Sequence, residues 1–80
     1  MKKYRVHLVG TERTELRALI ISGKYKEKKL KRAQILLGAD ESEGGKNMSD
    51  EEIVLAYDTS IRTVERTRKR FIEDGFGIAL

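Results

Sequence analysis

The stretch Ser49–Phe71, SDEEIVLAYDTSIRTVERTRKRF, reads as a capped short helix, a tight turn and a second helix rich in arginine. Ser49 with Glu52 three residues on has the form of a capping box, in which the hydroxyl accepts the Glu52 backbone N–H and the carboxylate accepts the Ser49 N–H. A helix is therefore expected to start near residue 50. Ile53, Val54 and Tyr57 share one apolar stripe of it, and Asp58-Thr59-Ser60 then interrupts the run with residues that favour turns and caps. In the helix that follows, Ile61, Val64, Thr67 and Phe71, joined by the stem of Arg68, fall on the inner side. Ser60, Arg62, Thr63, Arg66, Lys69 and Arg70 fall on the outer one. Helix, short turn and basic helix have the dimensions of a helix-turn-helix. Its second helix enters the major groove of DNA, where guanidinium groups meet guanine edges and hydroxyls reach phosphates. A basic solvated face on an amphipathic helix is the competing reading, and the capped predecessor and three-residue turn weigh against it.

Eighty residues allow one domain with a small core, which leaves little room for a large catalytic cleft. Seventeen Lys and Arg face thirteen Asp and Glu, a net charge of +4, so a polyanionic partner is favoured by the placement of charge more than by its total. Without cysteine there is no disulfide framework, thiolate metal site or cysteine nucleophile. No run approaches the roughly 20 apolar residues of a membrane span, and Met1-Lys2-Lys3 is not followed by the core of a signal peptide, so a cytoplasmic protein with no membrane partner is expected. The absence of proline, together with helical periodicity, points to a mostly helical chain.

Toward the N-terminus, Tyr4, Val6 and Leu8 alternate with Arg5, His7 and Val9, as in a short extended segment. It either packs on the helices or serves as a basic arm of Lys2, Lys3 and Arg5; packing of Val6 to Leu8 is favoured. His7, the only histidine, has no ligand partners. Thr11 is expected to cap a helix over residues 12–22 that carries Leu16, Leu19 and Ile20 on one stripe and ends at Ser22-Gly23. Six of the nine residues Lys24–Arg32 are basic, and they lead into a second helix over 26–41 that buries its leucine side. Those lysines are either a solvated face or a phosphate-contacting flank. The segment 40–47, acidic and then Gly44-Gly45, is expected to be the most mobile internal loop, and it lacks the lysine and hydroxyl of a phosphate-binding loop. Asp40, Glu41 and Glu43 stand without a histidine, while Asp50, Glu51 and Glu52 suit a helix first turn, so no enzyme, metal or cofactor is expected.

The order V-x-L-x-x-x-E-R from Val6 to Arg13, L-R-A-L at Leu16 to Leu19, R-A-Q-I-L-L at Arg32 to Leu37, D-E at Asp40 and Glu41, D-E-E-I at Asp50 to Ile53 and S-I-R-T-V-E-R-x-R-K-R-F at Ser60 to Phe71 resembles the N-terminal region of mariner-type bacterial insertion-sequence transposases. The resemblance covers nearly the whole chain. It implies a helix-turn-helix that binds the terminal inverted repeats of the element, without the separate RNase H-like domain that cuts and joins DNA. Gly75 to Leu80 resemble the opening of the family's next segment, so a natural short protein and a piece of a longer transposase both stay open. This chain has Asp58 and Thr59 where the family usually has glycine and valine, and Val54 where a small alanine is usual, which predicts a left-handed Asp58 and a looser turn.

The expected fold class is all-α: a homeodomain-like helix-turn-helix bundle of about four helices with a short extended N-terminal segment. The expected organisation is one DNA-binding domain over 1–80, with the extended segment or arm at 1–10, two supporting helices within 12–41 and the helix-turn-helix at 49–74, its helices near 49–57 and 60–74. The expected core is Leu16, Leu19, Ile20, Leu30, Ala33, Leu36, Leu37, Ile53, Val64 and Phe71. Ser60, Arg62 and Arg66 are the expected base readers and Thr63, Lys69 and Arg70 the phosphate contacts; Ile61 meets a thymine methyl or packs. The expected partner is double-stranded DNA, with a homodimer left open and no small-molecule ligand. A stand-alone regulator or antitoxin using the same motif is the alternative, and a module for an acidic protein partner a further one.

Overall fold

A computed structural model describes residues 4–75. The described residues form four helices, α1 Gly10–Ser22, α2 Glu27–Ala39, α3 Asp50–Tyr57 and α4 Ile61–Asp74, with no strand, so the fold is all-α. Helix α2 is the central element and packs against each of the other three. That centrality explains the burial of its C-terminal half: Ala33, Ile35, Leu36 and Ala39 are inaccessible to solvent, around a core completed by Val6, Leu8, Leu16, Ile53 and Val64. Leu19, Ile20, Leu37 and Phe71 are half-buried against this core. Leu30, placed in the core by periodicity, is also only half-buried.

The helix ends follow local chemistry. Helix α1 begins two residues ahead of expectation, because the Glu12 carboxylate accepts the Val9 N–H at 3.0 Å and Val9, not Thr11, is the N-cap. Gly23 closes it in the left-handed conformation at φ 65°. Helix α3 has the full capping box, with Glu52 N–H donating to the Ser49 hydroxyl at 3.2 Å and Ser49 N–H donating to the Glu52 carboxylate at 3.0 Å. Asp58 ends α3 in the left-handed region, φ 51° and ψ 59°. Its N–H and that of Thr59 both close on the Val54 carbonyl, a five-to-one and a six-to-one bond of the kind found at left-handed helix ends. The Lys31 ammonium then donates to the carbonyls of Tyr57 at 2.7 Å and Asp58 at 3.1 Å, tying α2 to the turn and placing a cation at the negative end of α3.

Two expectations change around residue 40. Helix α2 stops at Ala39 and not at residue 41, because Asp40 leaves the helix to form a parallel bridge with Val6, and the Glu41 N–H donates to the Val6 carbonyl at 2.8 Å. The glycine-rich segment behind it, expected to be the most mobile internal loop, is laid against Asp40. Gly45 N–H donates to Ser42, Asn47 N–H to the Asp40 carbonyl and Met48 N–H to Gly38, all at 2.8 to 2.9 Å. Gly45 lies so close to Asp40 that a Cβ there would collide with its carbonyl and carboxylate. The extended segment packs as favoured, with Val6 and Leu8 buried and His7 exposed. The Lys2 and Lys3 part of the alternative arm lies outside the described residues, as do Phe76 to Leu80.

Candidate nucleic-acid interface

Helix α4 is the most strongly amphipathic of the four, and the two sides of it use charge differently. On the inner side Val64 is buried, Thr67 donates its hydroxyl back to the Thr63 carbonyl at 2.8 Å, and Arg68 is only 2% exposed. Inward placement of the Arg68 stem was expected; the structure takes in the guanidinium as well. Its Nη2 and Nε reach Asp50 Oδ1 at 2.6 and 3.0 Å, and Nη1 donates to the Tyr4 carbonyl at 3.4 Å, 3.8 Å from Glu41 Oε2. Burial of a guanidinium is tolerated where its donors are satisfied by acceptors, and here one residue joins α4 to the start of α3 and to the N-terminal segment.

On the outer side, Arg62, Arg66, Lys69 and Arg70 are all exposed, and no hydrogen bond or ion pair among the described residues engages them. Their spacing at i, i+4, i+7 and i+8 aligns them along one face. Ser60 is the N-cap of α4: its hydroxyl accepts the Thr63 N–H at 3.2 Å and lies 3.0 Å from the Thr63 hydroxyl. All six residues expected to touch DNA are thus on the open side of one helix or its cap, with the two hydroxyls engaged with each other. Ile61, expected on the inner stripe, is 40% exposed because it opens the first turn of α4 ahead of Val64, beyond the body of the bundle.

Among the carboxylates, Asp40 does structural work. Asp40 is fully buried: its Oδ1 accepts the Leu8 N–H at 3.1 Å, the Ser42 N–H at 3.0 Å and the Ser42 hydroxyl, and its Oδ2 accepts Arg13 Nε at 3.1 Å. Burial opposes ionisation of this carboxyl, but the Ser42 hydroxyl, the Leu8 and Ser42 amides and Arg13 together outweigh it and hold the carboxyl below its ordinary value. Asp40 was expected in a plain acidic loop; its role as a hub was missed because its partners lie 27 and 32 residues away. Among the described residues no three His, Asp or Glu side chains are gathered as metal ligands, and no helix is long and apolar enough to cross a membrane.

The lysine run splits. Lys31 is the tether to α3, Lys29 stands 4.7 Å over the Tyr25 ring, and Lys28 and Arg32 line an open cleft between α2 and the start of α4. Compared with known proteins, the chain matches no protein-family model, no curated protein and no solved structure.

Proposed function

We propose that the chain is a sequence-specific duplex-DNA-binding module of homeodomain-like helix-turn-helix type, with α3 as the positioning helix and α4 in the major groove. The observation that carries this reading is the outer face of α4, where four cations stand exposed and unengaged among the described residues while the inner face of the same helix is fixed to the body by Val64, Thr67 and Arg68. A helix of about 10 to 12 Å diameter fits a groove about 12 Å wide. Arg62 and Arg66 in its N-terminal half are assigned to base edges, with Ser60 beside them; Thr63, Lys69 and Arg70 are assigned to phosphates. The terminal inverted repeats of a transposable element are the finer target, a proposal that rests on the sequence resemblance alone. The module is proposed to act by binding and not by catalysis, in the cytoplasm.

Selection of bound duplexes from a random pool tests the proposal. A shared site is expected among the selected duplexes, with a log-log salt slope of about −3 to −6 if roughly four to six phosphates are neutralised. No measurable binding to any duplex at about 50 mM salt would remove the reading, because low salt exposes even weak phosphate affinity.

A further inference from the structure

An open cleft of about 520 Å³ runs between the N-terminal half of α2 and the N-terminus of α4. Every residue lining it is charged or carries a hydroxyl, and no aliphatic or aromatic residue contributes to its wall. Four cations, Lys28, Lys31, Arg32 and Arg66, face two carboxylates, Glu27 and Asp58, an excess of positive charge in a concave site, which focuses the field toward an anion. Its shape is fixed by the Lys31 tether, which holds α2 against the turn that launches α4.

The position of the cleft identifies the anion. Arg66 belongs both to the outer face of α4 and to the cleft wall, so whatever occupies the cleft touches the ligand of α4. Packed helices lie about 8 to 10 Å apart, whereas the major groove that α4 would fill is about 12 Å wide. A helix beside α4 therefore stands over the rim of the groove, where the sugar-phosphate strand runs. We propose that this cleft seats a backbone phosphodiester of the bound duplex, with Lys28 and Arg32 of α2 as its cationic contacts. The DNA footprint then includes α2, and the two possible roles of the basic run divide by position: Lys28 and Arg32 contact phosphate, while Lys24 and Lys26 ahead of them are solvated. This inference rests on the duplex-binding reading of α4.

The test compares the full chain with Lys28→Gln and Lys24→Gln, two changes at exposed positions of the same basic run, only the first of which lines the cleft. Affinity is measured for the selected duplex and for a random one across a salt series. Lys28→Gln is expected to make the log-log slope shallower by about 0.9, the value of one phosphate contact, and to weaken both duplexes by the same factor. Lys24→Gln is expected to leave the slope unchanged. An unchanged slope in Lys28→Gln, or equal changes in the two variants, would overturn the cleft while leaving the α4 reading in place. Absence of duplex binding by the unaltered chain would overturn both.

Discussion

Arg66 and Arg68 stand two residues apart on α4, and they represent two regions that use charge in opposite ways. Arg68 belongs to an interior ionic frame, with Asp50, Arg13 and Asp40, in which each charge meets partners from distant parts of the chain. Arg66 belongs to a surface where cations stand side by side and gain nothing from the fold. The interior charges specify how helices and loops dock, since an unpartnered buried charge is costly and only one docking satisfies them all. Surface cations repel one another mildly, and in the proposed reading a polyanionic ligand supplies the opposite charge. Under the proposed function, stability and recognition fall to different side chains of a single helix.

The strongest challenge to this division is Asp40→Ala. It leaves Arg13, the Leu8 amide and Ser42 without their shared acceptor, and the expected loss is about 3 to 5 kcal/mol of stability by thermal or urea unfolding. A loss below about 1 kcal/mol would show that the interior frame is dispensable. The same residue sets a pH dependence. Its carboxyl is held below the ordinary value of about 3.9, so its stabilisation is complete above that value and is lost as pH falls through the lower folded value. The melting temperature should decline below about pH 4, and Asp40→Asn, which cannot titrate, should show a shallower decline over the same range.

The neighbouring arginines give the next contrast. Arg68→Ala should reduce stability by about 2 to 3 kcal/mol, less than a fully buried pair because the Asp50 side chain keeps 20% of its exposure to screening solvent. Arg66→Ala should leave stability within about 0.5 kcal/mol and instead weaken binding to the selected duplex by about 1 to 3 kcal/mol, with flattened discrimination at one base pair. An equal loss on random DNA would reassign Arg66 to phosphate, and a large loss of stability would merge the two regions. The smallest effect belongs to the turn. Asp58→Gly keeps the carbonyl that Lys31 holds and relieves a left-handed aspartate, so stability should rise by about 0.5 to 1 kcal/mol; a fall would mean that the carboxylate itself supports the turn.

What could be read from sequence was what is encoded locally. Ser49 and Glu52 announce α3, Ser60 announces α4, and Asp58 has only its neighbours to explain a left-handed conformation, so these boundaries were legible to within a residue. The outer face of α4 was legible for the same reason, since helical spacing alone aligns Arg62, Arg66, Lys69 and Arg70. Ile35 and Ala39 were not placed in the core, because an amphipathic stripe describes a helix with one buried side and α2 has neighbours on several. The engagement of Asp40 with Leu8 and Arg13 had no local signature at all. The acidic and glycine-rich pattern around it is that of a loose loop, and only folding brings up the donors that hold it. The cleft between α2 and α4 was illegible for a related reason: Lys28 and Arg66 are far apart in sequence and meet only through the docking of two helices.

The strap formed by Tyr4 to Leu8 has a consequence for the order in which the chain assembles. Leu8 is held by Asp40, 32 residues later, and the Tyr4 carbonyl by Arg68, 64 residues later. Contacts of such separation require most of the chain to be closed before they reward it, whereas α3 and α4 meet across a three-residue connection. During synthesis the strap emerges ahead of the residues that hold it, so it is not secured in full until residues 40 and 68 have followed. The Tyr4 end of the strap thus completes the bundle only once the helix assigned to DNA has formed.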